Sequence, residues 1–234
     1  MSGGDAVRSL RGMFSRLRSV RQTAGPRPDT GAQPDREGGT VFTSQALQKF
    51  LLCLSTRPAP ILLDLGPVVG SNIAFFGEQL NCKFVVEDLF ADLERYVRDG
   101  PLEEFPAFLS TRFTLEEGTV DGVLLWDLFD YLDRPSAQAL ATKVGRLLRA
   151  DGALLGFFGN ASHVGSGCAK FVVMDESHVR QRAHSSVLVR RSSLQNRDII
   201  RMFDGLLRVS DSYLLKTGRR EMLFRKGGAG RSII

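Results

Sequence analysis

From about residue 43 to residue 158, short apolar runs of strand length alternate with stretches whose apolar side chains recur every three or four positions. Leu47, Phe50, Leu51 and Leu54 mark one face of a helix that Thr43 or Ser44 can cap and that Pro58 and Pro60 end. Ile61 to Leu65 reads as a strand, apolar except for Asp64, and a helix is expected from about Gly70 to Leu80. Lys83 to Glu87 is a second strand, followed by a helix from about Phe90 to Arg98 that Gly100-Pro101 stops. Residues 102–119 show no clear period. Val120 to Trp126 is a strong strand, and Pro135 to Arg149 a helix with Pro in its first turn and Leu140, Val144, Leu147 and Leu148 inward. Asp151-Gly152 then reads as a turn into a strand at Ala153 to Phe158.

This alternation, with strands apolar on both faces, predicts an α/β fold in which helices cover both sides of a mostly parallel sheet. The rhythm changes near the C-terminus. Ser192 or Ser193 can cap a helix bearing Ile199, Ile200 and Phe203, which Gly205 closes. Leu206 to Lys216 and Arg220 to Lys226 follow as two strand-like runs separated only by Thr217-Gly218-Arg219, a spacing that suits an antiparallel hairpin. Residues 159–191 form an insertion before the last helix, with a strand-like run at Phe171 to Met174 and three histidines, His163, His178 and His184. Residues 1–40 read as a flexible basic tail punctuated by Gly and Pro, and residues 227–234 as a short C-terminal one. Within the first tail Val7, Leu10, Phe14, Leu17 and Val20 alternate with arginines in an amphipathic pattern, suited to a membrane surface, nucleic acid, another protein or the domain's own surface.

Composition narrows the class. The 234 residues are 43% hydrophobic and 24% charged, as in a globular protein. No apolar run approaches the roughly 18 residues a membrane-spanning helix needs, and no secretory signal is expected. Cys53, Cys82 and Cys168 lie far apart, so neither a disulfide framework nor a metal site is expected, and reduced thiols in the cytoplasm are. The net charge of +5 hides an uneven distribution: +4 over residues 1–86, −10 over 87–133 and +11 over 134–234. The basic ends, including Arg180, Arg182, Arg190, Arg191 and Arg197, can attract an anionic substrate or nucleic acid, or can be a solvated face.

Candidate chemistry sits where an open parallel sheet places it, at the carboxyl ends of its strands. In Asp64-Leu65-Gly66-Pro67-Val68-Val69-Gly70, Gly66 suits a tight turn and Gly70 would let the next helix start close to the sheet, its amides facing a ligand. Asp64 is costly to bury alone, and a ligand ammonium or nearby backbone amides would satisfy it. Glu87 lies 21 residues beyond Gly66, a spacing at which an acid accepts hydrogen bonds from ribose hydroxyls, and its neighbour Asp88 can substitute. At the end of the third strand, Trp126 and Phe129 can wall an adenine or a substrate, and Asp127 can position a substrate or act as a base. Core packing explains Trp126 equally well, a place at the positive helix end explains Glu87 together with Asp88 and Asp92, and capping of the following helical turn explains Asp127.

Leu62-Leu63-Asp64-Leu65-Gly66, Val86-Glu87-Asp88, Val120 to Asp127 and Leu147 to Leu154 occur in the order that resembles a class I S-adenosylmethionine-dependent methyltransferase. The resemblance covers about residues 43–226. It implies a Rossmann-like, seven-stranded, mostly parallel sheet closed by an antiparallel hairpin, over a domain taken as residues 41–226. The methionine part of the cofactor would lie over Gly66, with its ammonium near Asp64. The ribose would meet Glu87, and the sulfonium would face Asp127 and Phe129. The insertion at 159–191 would cover the acceptor. Two departures stand in the loop. Val68 replaces the middle glycine, and Pro67 removes a backbone donor. The expected activity is methyl transfer to a small-molecule acceptor. The alternatives are a non-catalytic binding or scaffold protein of the same fold, which Pro67 and Val68 favour, and a nucleic-acid methyltransferase steered by the basic segments.

Overall fold

The computed structural model describes residues 38–159, 166–191 and 194–228, and the described residues from Gly39 onward belong to one compact unit. The amphipathic segment from Val7 to Val20, and His163, lie outside the described residues.

The elements in chain order are β1 (Thr40–Thr43), α1 (Gln45–Ser55), β2 (Ile61–Asp64), α2 (Gly70–Leu80), β3 (Lys83–Val86), α3 (Leu89–Asp99), α4 (Phe105–Thr111), β4 (Val120–Trp126), α5 (Arg134–Leu147), β5 (Leu148–Phe158), β6 (Ser166–Val173), β7 (His178–Val189), α6 (Asn196–Met202), β8 (Arg208–Leu214) and β9 (Arg220–Arg225). Six strands form one sheet in the order β3-β2-β4-β5-β9-β8. The first four are parallel; β9 and β8 are antiparallel additions. The expected closing hairpin is present, its turn made by Leu215 accepting from Gly218, which has a left-handed φ of 77°.

The sheet has six strands rather than seven. Residues 102–119 contribute a 3-10 turn and α4 instead of an edge strand. Phe105 and Leu109, four residues apart, are both buried on one face of α4, and Pro106 sits in its first turn, so the helical period wins there. Asp151-Gly152 is not a turn before a strand either. It is a bulge within β5, where the register against β4 shifts and Asp151 takes φ 61°.

The period-two alternation of the buried strands feeds two cores. Leu63, Leu65, Val123 and Leu125 face Leu89, Phe90, Phe105, Leu140 and Phe203 on one side. Leu62, Leu124 and Trp126 face Leu47, Phe50, Leu51 and Phe76 on the other. Helix α1 is capped by Ser44, whose hydroxyl accepts from the Leu47 amide. The buried Glu221 of β9 accepts from Ser44 Oγ and from the amides of Gln45 and Ala46, so a carboxylate from the far hairpin sits at the positive end of α1.

The insertion builds a second sheet, β1-β7-β6, antiparallel throughout. It joins both cores. Ala169, Phe171, Val173 and Val179 belong to the cluster around Trp126, whereas Cys168 and Leu188 belong to the other. At one end Asn72 of α2 holds β6, its Nδ2 donating to Phe171 O and its Oδ1 accepting from Val173 N, both at 2.9 Å. The carboxamide thus pairs with the strand edge as a peptide group would. Further along, Ser186 of β7 donates to Glu94 of α3.

Candidate functional site

The parallel pairing of β3, β2 and β4 brings three candidate acids to one edge. Glu87 N donates to Asp64 O at 2.8 Å, and Leu65 N donates to Leu124 O at 3.0 Å, so the turns after the three strands lie side by side. Asp64, Gly66, Glu87, Trp126 and Asp127 therefore do gather at the carboxyl ends of the central strands.

Asp64 is 1% exposed, and its partners come from the chain itself. Its Oδ1 accepts from Gly66 N at 2.9 Å and from the indole Nε1 of Trp126 at 2.6 Å. Burial pushes its carboxyl up to about 6, against the pull of those two donors. The indole also covers the turn: a Cβ added at Gly66 would lie 2.7 Å from Trp126 Nε1, far inside contact distance. Gly66 is therefore required, but by a tryptophan. Trp126 ends β4 with φ 51°, a left-handed conformation that is an outlier for so bulky a residue. Its other neighbour is Phe171 of β6, with ring centroids 5.5 Å apart and planes within 6°.

The remaining predicted residues divide. Glu87 accepts from Arg112 at 2.6 Å, and the same guanidinium reaches Asp92 at 2.7 Å. Asp88, read as a substitute for Glu87, caps α3 by accepting from Ala91 N at 3.0 Å. Gly70 begins α2, and a Cβ there would meet nothing within 4 Å, so close approach to the sheet does not require a glycine. Phe129 does not face the cleft. It is buried in the opposite core from Trp126, stacked on Phe203 with centroids 5.9 Å apart. The 3-10 turn Leu128–Tyr131 turns it inward.

Asp127 is fully buried and does not cap the turn after β4 with its side chain. Its Oδ2 accepts from Arg190 at 2.7 Å and from Arg219 at 3.0 Å, while Oδ1 has no hydrogen-bond partner. Burial pushes its carboxyl up to about 6, with Arg190 pulling the other way. Asp130 rises further, to about 7, through burial and the nearby charge of Asp127. Asp130 also accepts from Gly159 N through its side chain and from Arg191 N through its carbonyl, so it holds both roots of the insertion. Arg219 lies over the Phe171 ring at 5.7 Å, linking this network to the Trp126 stack.

Neither a known family's sequence profile nor any curated protein matches the chain. Solved structures do resemble it. The 1,6-didemethyltoxoflavin-N1-methyltransferase of Burkholderia thailandensis, solved with 1,6-didemethyltoxoflavin and S-adenosylhomocysteine, is 18% identical over 78% of this chain and 79% of its own, with a TM-score of 0.43. The CcbJ methyltransferase of Streptomyces caelestis is 13% identical over 78% and 94%, with a TM-score of 0.46. A geranyl diphosphate methyltransferase solved with geranyl diphosphate and sinefungin is 12% identical over 77% of each chain, with a TM-score of 0.45. With TM-scores below 0.5 and identities below 20%, these likenesses carry no argument about this chain. What decides the fold is this chain's own sheet, four parallel strands in the order β3-β2-β4-β5 with the last strand, β9, antiparallel between β5 and β8. The chain has a Rossmann-like α/β fold closed by an antiparallel hairpin.

The sequence resemblance implies S-adenosylmethionine, and in this arrangement the side chains expected to receive it are engaged within the chain. The surface expected under its methionine part carries the Trp126 indole. The carboxylate expected to meet its ammonium accepts two hydrogen bonds from the chain on Oδ1, and the acid expected at its ribose is paired with Arg112 through Oε2. Asp127, expected near the sulfonium, is engaged by two arginines.

Asn72, Asp130, Arg190 as the partner of Asp127, and Arg219 were not found by sequence reasoning. Arg219 looked like an ordinary hairpin-turn residue yet is 4% exposed. Among the described residues no group of three or more His, Cys, Asp or Glu could hold a metal ion, and no helix is long and apolar enough to cross a membrane. A cleft of about 360 Å³ lined by Arg95, Tyr96 and Glu104 and one of about 500 Å³ lined by Gln138, Lys143 and Arg146 contain none of the predicted site residues.

Proposed function

We propose that this chain has a methyltransferase fold and works as a non-catalytic binding or scaffold module, its cofactor cleft closed by its own side chains. The observation that supports it most is the Trp126 indole seated against Gly66 and donating to Asp64. The acids that would serve a ligand serve the fold instead. Asp64 fixes the indole, Glu87 fixes Arg112, and Asp127 ties the hairpin turn (Arg219) and the end of β7 (Arg190) to the end of β4. A general base must reach the proton it removes, and the one unpaired oxygen of Asp127 is buried.

A second reading is S-adenosylmethionine-dependent methyl transfer to a small-molecule acceptor after the cleft opens. It is favoured by Asp64, Gly66 and Glu87 keeping their places at adjacent strand ends. When bound, the cofactor would supply the methyl group. Calorimetric titration of the full chain with S-adenosylmethionine and S-adenosylhomocysteine separates the two. No heat of binding up to about 1 mM ligand, weaker than about −4 kcal/mol, is expected for the module. Saturable micromolar binding that disappears in Glu87→Ala would establish the second reading.

A further inference from the structure

We propose that Trp126 is a built-in plug that stands in for a ligand, and that its removal is sufficient to open a site over Gly66 for an adenosyl amino acid. The inference deepens, and rests on, the reading of the cleft as closed. Trp126 supplies the two contacts expected of such a ligand. It gives Asp64 a hydrogen-bond donor at 2.6 Å, as an ammonium would, and it covers the one turn residue without a side chain.

The plug is held from outside. A bulky residue at φ 51° persists only where its surroundings over-determine it. Here those surroundings are the coplanar Phe171 ring and the Asn72 carboxamide, which grips β6 on both sides of Val172, the residue after Phe171, at Phe171 O and Val173 N. Phe157 completes the enclosure, 6.0 Å from Trp126 and 5.0 Å from Phe171 between centroids. Without the indole, Asp64 keeps only the Gly66 amide as a partner. A buried carboxylate short of donors, beside a bare glycine turn and one strand from Glu87, favours a ligand carrying an ammonium and ribose hydroxyls.

The test is calorimetric titration of S-adenosylhomocysteine into wild type, Trp126→Gly and Trp126→Phe. Glycine suits the left-handed backbone at this position, so the variant removes the ring and the strain together. Trp126→Phe keeps a ring without the Nε1 donor and is expected to stay closed. Trp126→Gly is expected to bind at least about 100-fold more tightly than wild type, a difference equivalent to two steps of tenfold affinity. A Trp126→Gly variant with native circular dichroism and cooperative unfolding that binds no better than wild type would overturn the plug and leave the closed-cleft reading standing. Binding to wild type itself would overturn that reading and the plug with it. If Trp126→Gly does not fold, Asn72→Ala decides through emission of the chain's single tryptophan. A red shift with several-fold greater acrylamide quenching is expected, and unchanged emission would refute the clamp.

Discussion

Replacing Asn72 probes the clamp on β6 with a magnitude that follows from two hydrogen bonds. Its side chain is 1% exposed and bonds Phe171 O and Val173 N at 2.9 Å each. Alanine removes both partners and strands a buried carbonyl and a buried amide. Each costs about 1–3 kcal/mol, so Asn72→Ala is expected to lose about 2–6 kcal/mol. At about 2–4 °C per kcal/mol for a domain of this size, the melting temperature should fall by roughly 4–24 °C. Asn72→Asp refines the argument. The introduced carboxylate can still accept from Val173 N but cannot donate to Phe171 O, and it is charged in an apolar setting. Once protonated it regains the donor. Burial raises its folded pKa above the unfolded value of about 4, so stability is full below that value and is lost as pH rises through the folded pKa. Urea unfolding at about pH 4 and about pH 7.5 should therefore show a larger deficit at the higher pH. A pH-independent deficit in Asn72→Asp, or an Asn72→Ala loss under about 0.5 kcal/mol, would refute the peptide-like role of this amide.

Three further outcomes are expected. Indole emission of the wild type should titrate with a midpoint near 6 as Asp64 takes a proton, and Asp64→Asn should abolish that step; the same raised pKa means Asp64 contributes most stability below about pH 4 and loses it as pH rises to about 6, readable from urea midpoints. Asp127→Ala leaves two buried guanidiniums facing each other without their shared carboxylate and should cost about 3–5 kcal/mol in urea unfolding; a loss below about 1 kcal/mol would show that the network is idle. Glu221→Ala removes an acceptor shared by one hydroxyl and two helix amides and should cost about 2–4 kcal/mol, with hydrogen exchange accelerating first in α1.

The order of strands and helices was legible because each buried element repeats its own period over enough residues, as in Val120–Trp126 and Arg134–Leu147. The final hairpin was legible from the spacing of its turn. Residues 102–119 were not, since the helical face of α4 rests on just Phe105 and Leu109, too short a pattern to declare itself. The three strand ends were found, and so were Asp64, Glu87 and Asp127 as the acids on them. Their partners were hidden by distance along the chain. Asp127 and Arg219 are 92 residues apart, and Asn72 and Phe171 are 99 apart. Trp126 carried two readings that local sequence could not separate, since an aromatic at the end of a strand walls a ligand or fills a core by the same surface. Pro67 and Val68 were the departures in the loop itself that favoured the non-catalytic reading.

The central claim, that the indole of Trp126 fills the space over Gly66, is tested most directly by the single indole N–H resonance of the isotope-labelled chain, recorded with and without S-adenosylhomocysteine at about 1 mM. A short bond to the Asp64 carboxylate in a buried setting predicts a downfield peak, slow to exchange with water and unmoved by the ligand. A peak at the position of a solvated indole, or one that shifts saturably as ligand is added, would contradict it.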